Sequence, residues 1–235
     1  MAGLREAGLV GAALALAGGL VFVLWSFIQT KKAQPGRGKL PDPDRQRAAA
    51  ERRGAPALPE PQEAGTQVLV LGLEGAGKTS LLHCFATGSL EQDVSPTQGF
   101  NAISINKEEL HIEFLEIGGV EKLRDYWQMY LKKARVLVFV VDSADPAHFP
   151  LAKTHLHRLL AADPYLPLVL LANKQDVAGA RGVADLYEAL SLGTVGDARK
   201  LCVLGTQVQK GRAETNVGVQ DARELIIEMM NNSHA

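Results

Sequence analysis

The chain has 235 residues, 46% of them hydrophobic and 22% charged, with a formal net charge of -1. This composition can build a core and excludes a chain disordered throughout, and a near-neutral charge without a basic patch gives no footprint for nucleic acid, so no nucleic-acid partner is expected. The two cysteines, Cys84 and Cys202, lie far apart without metal or redox spacing, which leaves no basis for a disulfide framework or zinc site and predicts reduced, buried thiols.

After a short tail, residues 1–6, the segment 7–28 reads AGLVGAALALAGGLVFVLWSFI and carries no charge. As a helix rising ~1.5 Å per residue it is long enough for a hydrocarbon core of ~30 Å, with its backbone satisfied internally and Trp25 near one end. It is too long for a signal-peptide core, and no small-residue cleavage site follows Ile28. The spacing predicts a membrane anchor. Lys31, Lys32, Arg37 and Lys39 follow it, whereas only Arg5, offset by Glu6, precedes it. The C-terminal side is therefore expected in the cytosol. Residues 29–65 are rich in Pro, Gly, Ala and charge, show no period of 2 or 3.6, and read as a tether.

From Gln67 the pattern changes, and residues 66–235 are expected to form one α/β domain. QVLVLG reads as a buried parallel strand and runs into Gly72-Leu-Glu-Gly-Ala-Gly-Lys-Thr79, which fits the phosphate-binding pattern GxxxxGK[ST] between a strand and a helix. Glycines let the backbone turn and approach phosphate, and successive N–H groups at a helix N-terminus form an anion nest. Gly75, Ala76, Gly77, Lys78, Thr79 and Ser80 are thus candidate phosphate contacts, with Lys78 on the β- and γ-phosphates and the Thr79 hydroxyl on Mg²⁺. Ala134–Asp142 is a second buried strand. Residues 146–162 are a helix expected to turn Leu151, His155 and Leu159 to one face. LPLVLLA then forms a strand that delivers Asn173-Lys174-Gln175-Asp176 to its C-terminal end, where open α/β sheets bind ligands. The Asp176 carboxylate can accept from both the ring N–H and the exocyclic amine of guanine, a donor pair that adenine lacks. Asn173 can tie loops together and the Lys174 stem can cover the base. A shorter helix at 182–190, a strand at 200–204, and a helix at 216–230 with Leu225, Ile226 and Met229 inward complete a mostly parallel sheet with helices on both faces. The histidines show no metal or catalytic arrangement.

The stretch from about 67 to 231 resembles the Arf and Arf-like small GTPases. The likeness rests on the P-loop, Ser95-Pro-Thr-Gln-Gly-Phe-Asn101, Glu116-Ile-Gly-Gly119, Val140-Val-Asp-Ser143 and Asn173-Lys-Gln-Asp176. It implies a P-loop GTPase fold with a six-stranded sheet whose second strand is antiparallel, GTP or GDP with Mg²⁺ as ligands, and cytosolic effector and regulator proteins as partners. It places Thr97 in switch I, on Mg²⁺ and sensing the γ-phosphate; Gly119 in switch II, donating its N–H to that phosphate; Glu116 at the metal; and Thr206 and Gln207 in the loop that contacts the guanine oxygen. Residues 101–106 and 110–115 become the interswitch strands, joined by a turn around Lys107-Glu108. Gln98 is expected to face partners. Trp127 falls on the switch II helix, either facing effectors or packed as an ordinary core aromatic.

Three departures stand out. Val120 occupies the position where the family carries a glutamine that orients the attacking water; valine has neither donor nor acceptor, so slow intrinsic hydrolysis is expected and no catalytic residue is assigned. Glu116 replaces the usual aspartate. Ala2 replaces the glycine that is myristoylated in the family, and the anchor at 7–28 takes its place. Three functions compete: a membrane-anchored switch that recruits effectors while GTP is bound and hydrolyses weakly; a slow GTPase cycled by exchange and activating proteins; and a scaffold holding nucleotide constitutively. The anchor suits the mitochondrial outer membrane or the endoplasmic reticulum.

Overall fold

The computed structural model describes residues 67–90, 94–107, 110–195, 199–211 and 216–231. The tail, the anchor at 7–28, the tether at 29–65 and most of the interswitch turn lie outside the described residues. Among the described residues no helix is long and apolar enough to cross a membrane.

Branched apolar runs form strands buried on both faces. Strand β1 (Gln67–Leu71), β4 (Ala134–Asp142) and β5 (Leu168–Asn173) are of this kind. They sit in the middle of one six-stranded sheet of order β2-β3-β1-β4-β5-β6, with β2 (Phe100–Lys107), β3 (Leu110–Ile117) and β6 (Leu201–Gly205) outside them. Only the β2–β3 pair is antiparallel, as expected, and the register sets Asn101 opposite Glu116.

Side-chain alternation along the strands splits the core into two layers. Val68, Val70, Phe114, Val138 and Val169 meet helices α1 (Lys78–Thr87) and α6 (Val219–Asn231). Leu69, Leu71, Ile117, Phe139 and Leu170 meet the other face, formed by α3 (Trp127–Leu131), α4 (Phe149–Ala162) and α5 (Val183–Ala189). The short α2 (Glu121–Arg124) precedes α3.

Several expectations need correction. The buried stripe of α4 is Phe149, Ala152, Leu156, Leu159 and Leu160, and Leu151 is exposed, because the helix is rotated so that positions i, i+3, i+7 face the sheet. The last helix begins at Val219 rather than Asn216: Gly218 has a positive φ of 72°, and its carbonyl accepts the first helical bond, from Ala222 N, at 3.0 Å. Leu225 is only partly buried beside Ile226 and Met229. Cys84 is buried, whereas Cys202, on edge strand β6, is half-buried.

Candidate functional site

Strand β1 ends in the centre of the sheet, so the loop after it opens between the C-terminal ends of β3 and β4. Two glycines shape that loop. Gly72 has φ 146°, and a Cβ there would collide with the Val140 carbonyl; Gly77 has φ 91°, and a Cβ would meet the Asn173 amide. The backbone therefore turns tightly against β4 and β5 and starts α1 at Lys78. The Lys78 stem is buried. Its Nζ donates to Gly72 O and Leu73 O, each at 3.0 Å, which arches the loop and leaves one ammonium N–H directed elsewhere. Burial lowers its pKa to about 8, with Glu116 and Glu74 pulling in the opposite direction.

Beside Lys78, three segments converge. Glu116 Oε1 accepts from Thr79 Oγ1 at 2.8 Å and from Thr97 Oγ1 at 3.1 Å, and the two hydroxyls stand 3.0 Å apart. Glu116 Oε2 accepts from Asn101 Nδ2 at 3.4 Å. Glu116, Thr97 and Asn101 are all buried, and Asn101 Oδ1 is buried without a donor. Hard divalent cations take oxygen ligands. The corner supplies a carboxylate and two hydroxyls together with an orphaned acceptor, so these residues fit such an ion.

Gly119 lies flat against the loop. A Cβ there would strike Gly72 O, Leu73 C and Glu74 N, so only glycine brings its backbone this close. Gly118 N donates to Gly99 O at 2.9 Å, joining the segments expected to be switch I and switch II. Arg124 Nε donates to Gly119 O at 2.9 Å. Val120 follows in extended conformation as the N-cap of α2. Its half-buried side chain lines a cleft of ≈ 250 Å³ together with Gly75, Gly77, Lys78, Thr79, Ser80, Thr97, Glu116, Gly119 and Lys174.

Of its two expected positions, Trp127 takes the core one. It is 1% exposed, its ring packs edge-on against Phe139 and His155, and its Nε1 donates to Gly118 O at 3.3 Å. Trp127 is a core residue and does not face effectors, because α3 turns its indole under the Gly118-Gly119 loop. Gln98 is exposed.

At the far end of the cleft, Asn173 Nδ2 donates to Ala76 O at 2.9 Å and Asn173 Oδ1 accepts from Thr206 Oγ1 at 3.1 Å. One buried amide thus ties the phosphate loop, β5 and the loop after β6. Ala76 is buried and contributes this carbonyl. Lys174 takes a positive φ of 66°, uncommon outside glycine, and its Nζ pairs with Asp142 Oδ2 at 2.6 Å. Gln175 N donates to Thr206 O at 3.1 Å. Asp176 is exposed and its Oδ2 accepts from Gln209 Nε2 at 3.3 Å. Gln207 N donates to Val217 O at 3.2 Å. Asp142, Asn101 and Gln209 join the site only through the fold: Asp142 and Asn101 stand inside the motifs at 140–143 and 95–101, whereas no residue pattern marks Gln209.

Known proteins resemble this chain in sequence and in fold. The family model for the ADP-ribosylation factor family matches residues 59–230. The chain is 51% identical over 169 residues to human ADP-ribosylation factor-like protein 9, covering 72% of this chain and 90% of that protein. It is 34% identical over 215 residues to mouse ADP-ribosylation factor-like protein 10, covering 85% of each. In fold it is similar to the Arl6 BBS3 small GTPase of Trypanosoma brucei, solved with the nucleotide analogue GppNp, with a TM-score of 0.62 at 24% identity over 72% of this chain and 98% of that one. The chain belongs to the ADP-ribosylation factor family, as an Arf-like small GTPase with the P-loop α/β fold.

Proposed function

We propose that this chain is a membrane-anchored guanine-nucleotide switch that recruits cytosolic effectors while GTP is bound and hydrolyses GTP only weakly by itself. Gly75, Ala76, Gly77, Lys78, Thr79 and Ser80 hold the phosphates through the loop backbone, the ammonium and the start of α1. Thr79, Thr97 and Glu116 hold Mg²⁺, which when bound neutralises charge on the β- and γ-phosphates. Thr97 and Gly119 sense the γ-phosphate. Asn173, Lys174 and Asp176, with Thr206 and Gln207, hold and select the guanine base. The N-terminal segment 7–28 is the anchor, with the GTPase domain in the cytosol at the mitochondrial outer membrane or the endoplasmic reticulum.

The observation that carries the weak hydrolysis is Val120. Its side chain lines the cleft beside Thr97 and Gly119, where a water-orienting amide would stand, and it can neither donate nor accept. The intact Gly119 packing favours a switch over a constitutive scaffold, since a scaffold needs no γ-phosphate sensor. The test is single-turnover hydrolysis by the full chain loaded with radiolabelled GTP, beside Val120→Gln. A slow parent and a variant faster by about tenfold or more are expected. A parent at an ordinary family rate, with no gain in the variant, overturns the weak-hydrolysis reading in favour of the cycling GTPase. Carbonate extraction of the full chain and of a chain lacking residues 7–28 tests the anchor: extraction of the full chain into the soluble fraction refutes it.

A further inference from the structure

The oxygens around Glu116 hold more than a hydrogen-bond count explains. Thr79 Oγ1, Thr97 Oγ1 and Glu116 Oε1 form a triangle with edges of 2.8, 3.0 and 3.1 Å. Both hydroxyls stand within donor reach of Oε1 and either can donate to the other, so two protons are shared among three contacts. Oxygens crowded in this manner are stabilised by a cation set over the triangle. An octahedral Mg²⁺ with metal–oxygen distances of ~2.0–2.1 Å sets adjacent ligands ~2.9 Å apart, and the three edges scatter around that value. The other carboxylate oxygen turns away towards Asn101 Nδ2, on the strand register that pairs Asn101 with Glu116. Asn101 Oδ1, buried and lacking a donor, is an acceptor for a water held on the ion. A shorter aspartate at this position would stop one methylene, ~1.5 Å, nearer the strand and would meet the ion through water.

We propose that Glu116 binds the divalent ion directly, through Oε1, completing one face of its coordination octahedron with the Thr79 and Thr97 hydroxyls. Asn101 is the positioning residue that holds Oε2 and so aims Oε1. With one oxygen each from the β- and γ-phosphates on the ion, a six-coordinate ion held this way would have a single place left for water. This rests on the nucleotide-switch reading and deepens it: the extra methylene of Glu116 replaces a metal-bound water by a charged ligand.

The test uses the full chain with Mn²⁺ in place of Mg²⁺ and a non-hydrolysable GTP analogue. Electron paramagnetic resonance line broadening in water enriched in the magnetic isotope of oxygen counts the waters on the ion. One water is expected in the parent and two in Glu116→Asp, together with a loss of Mn²⁺ affinity of roughly tenfold or more. Two waters in the parent, with analogue and ion both retained, overturn the direct ligand and leave the switch reading intact. Failure of the parent to retain the analogue at all sinks both. The parent's own count decides the matter even if Glu116→Asp does not fold.

Discussion

Removal of the Trp127 indole tests whether the switch II loop is held from beneath by the core. The side chain is fully buried, with ring centroids 6.2 Å from Phe139 and 5.5 Å from His155. A buried tryptophan withdraws ~150–250 Å² from water, which at ~25 cal/mol per Å² amounts to about 4–6 kcal/mol as an upper bound. Truncations of this kind cost about 3–5 kcal/mol once partial collapse of the cavity is allowed. The Nε1 bond to Gly118 O is long at 3.3 Å and adds at most about 1 kcal/mol. Trp127→Ala is therefore expected to lose about 3–5 kcal/mol, a fall in Tm of roughly 10 °C for a domain of this size. Trp127→Phe, which keeps most of the contact but strands the Gly118 carbonyl, is expected to lose about 1–2 kcal/mol. Urea unfolding of the purified full chain, followed by circular dichroism, measures both. A loss below about 1 kcal/mol in Trp127→Ala would refute the packing argument and return the indole to an effector-facing role.

Other outcomes follow from the same geometry. Asp176→Asn replaces a pure acceptor by one that also donates; a competition assay should show guanine nucleotides weakened roughly tenfold or more and xanthine nucleotides, which carry a carbonyl where guanine has its amine, strengthened. Unchanged guanine preference would remove Asp176 from base recognition. Gly119→Ala drives a methyl into the backbone of residues 72–74, so the advantage of a GTP analogue over GDP should fall about tenfold or more in a displacement assay; an unaltered ratio would mean that Gly119 does not sense the γ-phosphate. His155 has a lowered pKa, through burial first and then Arg124 and Arg158, with Asp125 opposing. The folded state thus favours its neutral form, and the stability it contributes is complete above 6.5, the unperturbed value, and is lost as pH falls through the lower folded-state value. His155→Phe keeps a ring against Trp127 and removes the proton, so its denaturation midpoint should drop less than the parent's on acidification; parallel curves would exclude His155 from the pH dependence.

The sheet was legible because its central strands declare themselves locally. Gln67–Leu71, Ala134–Asp142 and Leu168–Asn173 are apolar runs that can only be buried on both faces. The phosphate loop and Asn173-Lys-Gln-Asp176 were legible because their residue types answer to backbone demands that the structure displays, at Gly72, Gly77 and the doubly bonded Asn173 amide. What stayed hidden depends on packing between distant segments. Periodicity named an apolar face for α4 but misplaced it by part of a turn, because Leu151 and Ala152 differ too little in a window for the sheet contact to be chosen locally. The orientation of Trp127 follows from a break in the helix at Asp125-Tyr126, which splits α2 from α3 and has no signature in residue type. The Gln209–Asp176 bond joins loops through tertiary placement alone.

The arrangement around Gly119 separates two properties that are easily taken as one. The proposed sensing of a terminal phosphate would use a backbone N–H, whose geometry is fixed by contacts that involve no side chain of its own: the loop of residues 72–74 above, the Gly118–Gly99 bond beside it, and Trp127 and Arg124 bonded to the carbonyls of residues 118 and 119. Orientation of a hydrolytic water, by contrast, belongs to the side chain of the next residue. An exchange of glutamine for Val120 removes the second without touching the first, because Val120 meets the loop through extended backbone that either residue adopts. On the proposed reading, a domain with this sequence keeps its conformational response to GTP while its own clock for ending that response runs slowly. The signal would then last as long as nucleotide dissociation or a partner allows. Under that condition the proposed direct hold of Glu116 on the metal would prolong the bound state rather than hasten chemistry, so the two proposals for residues 116 and 120 act in the same direction.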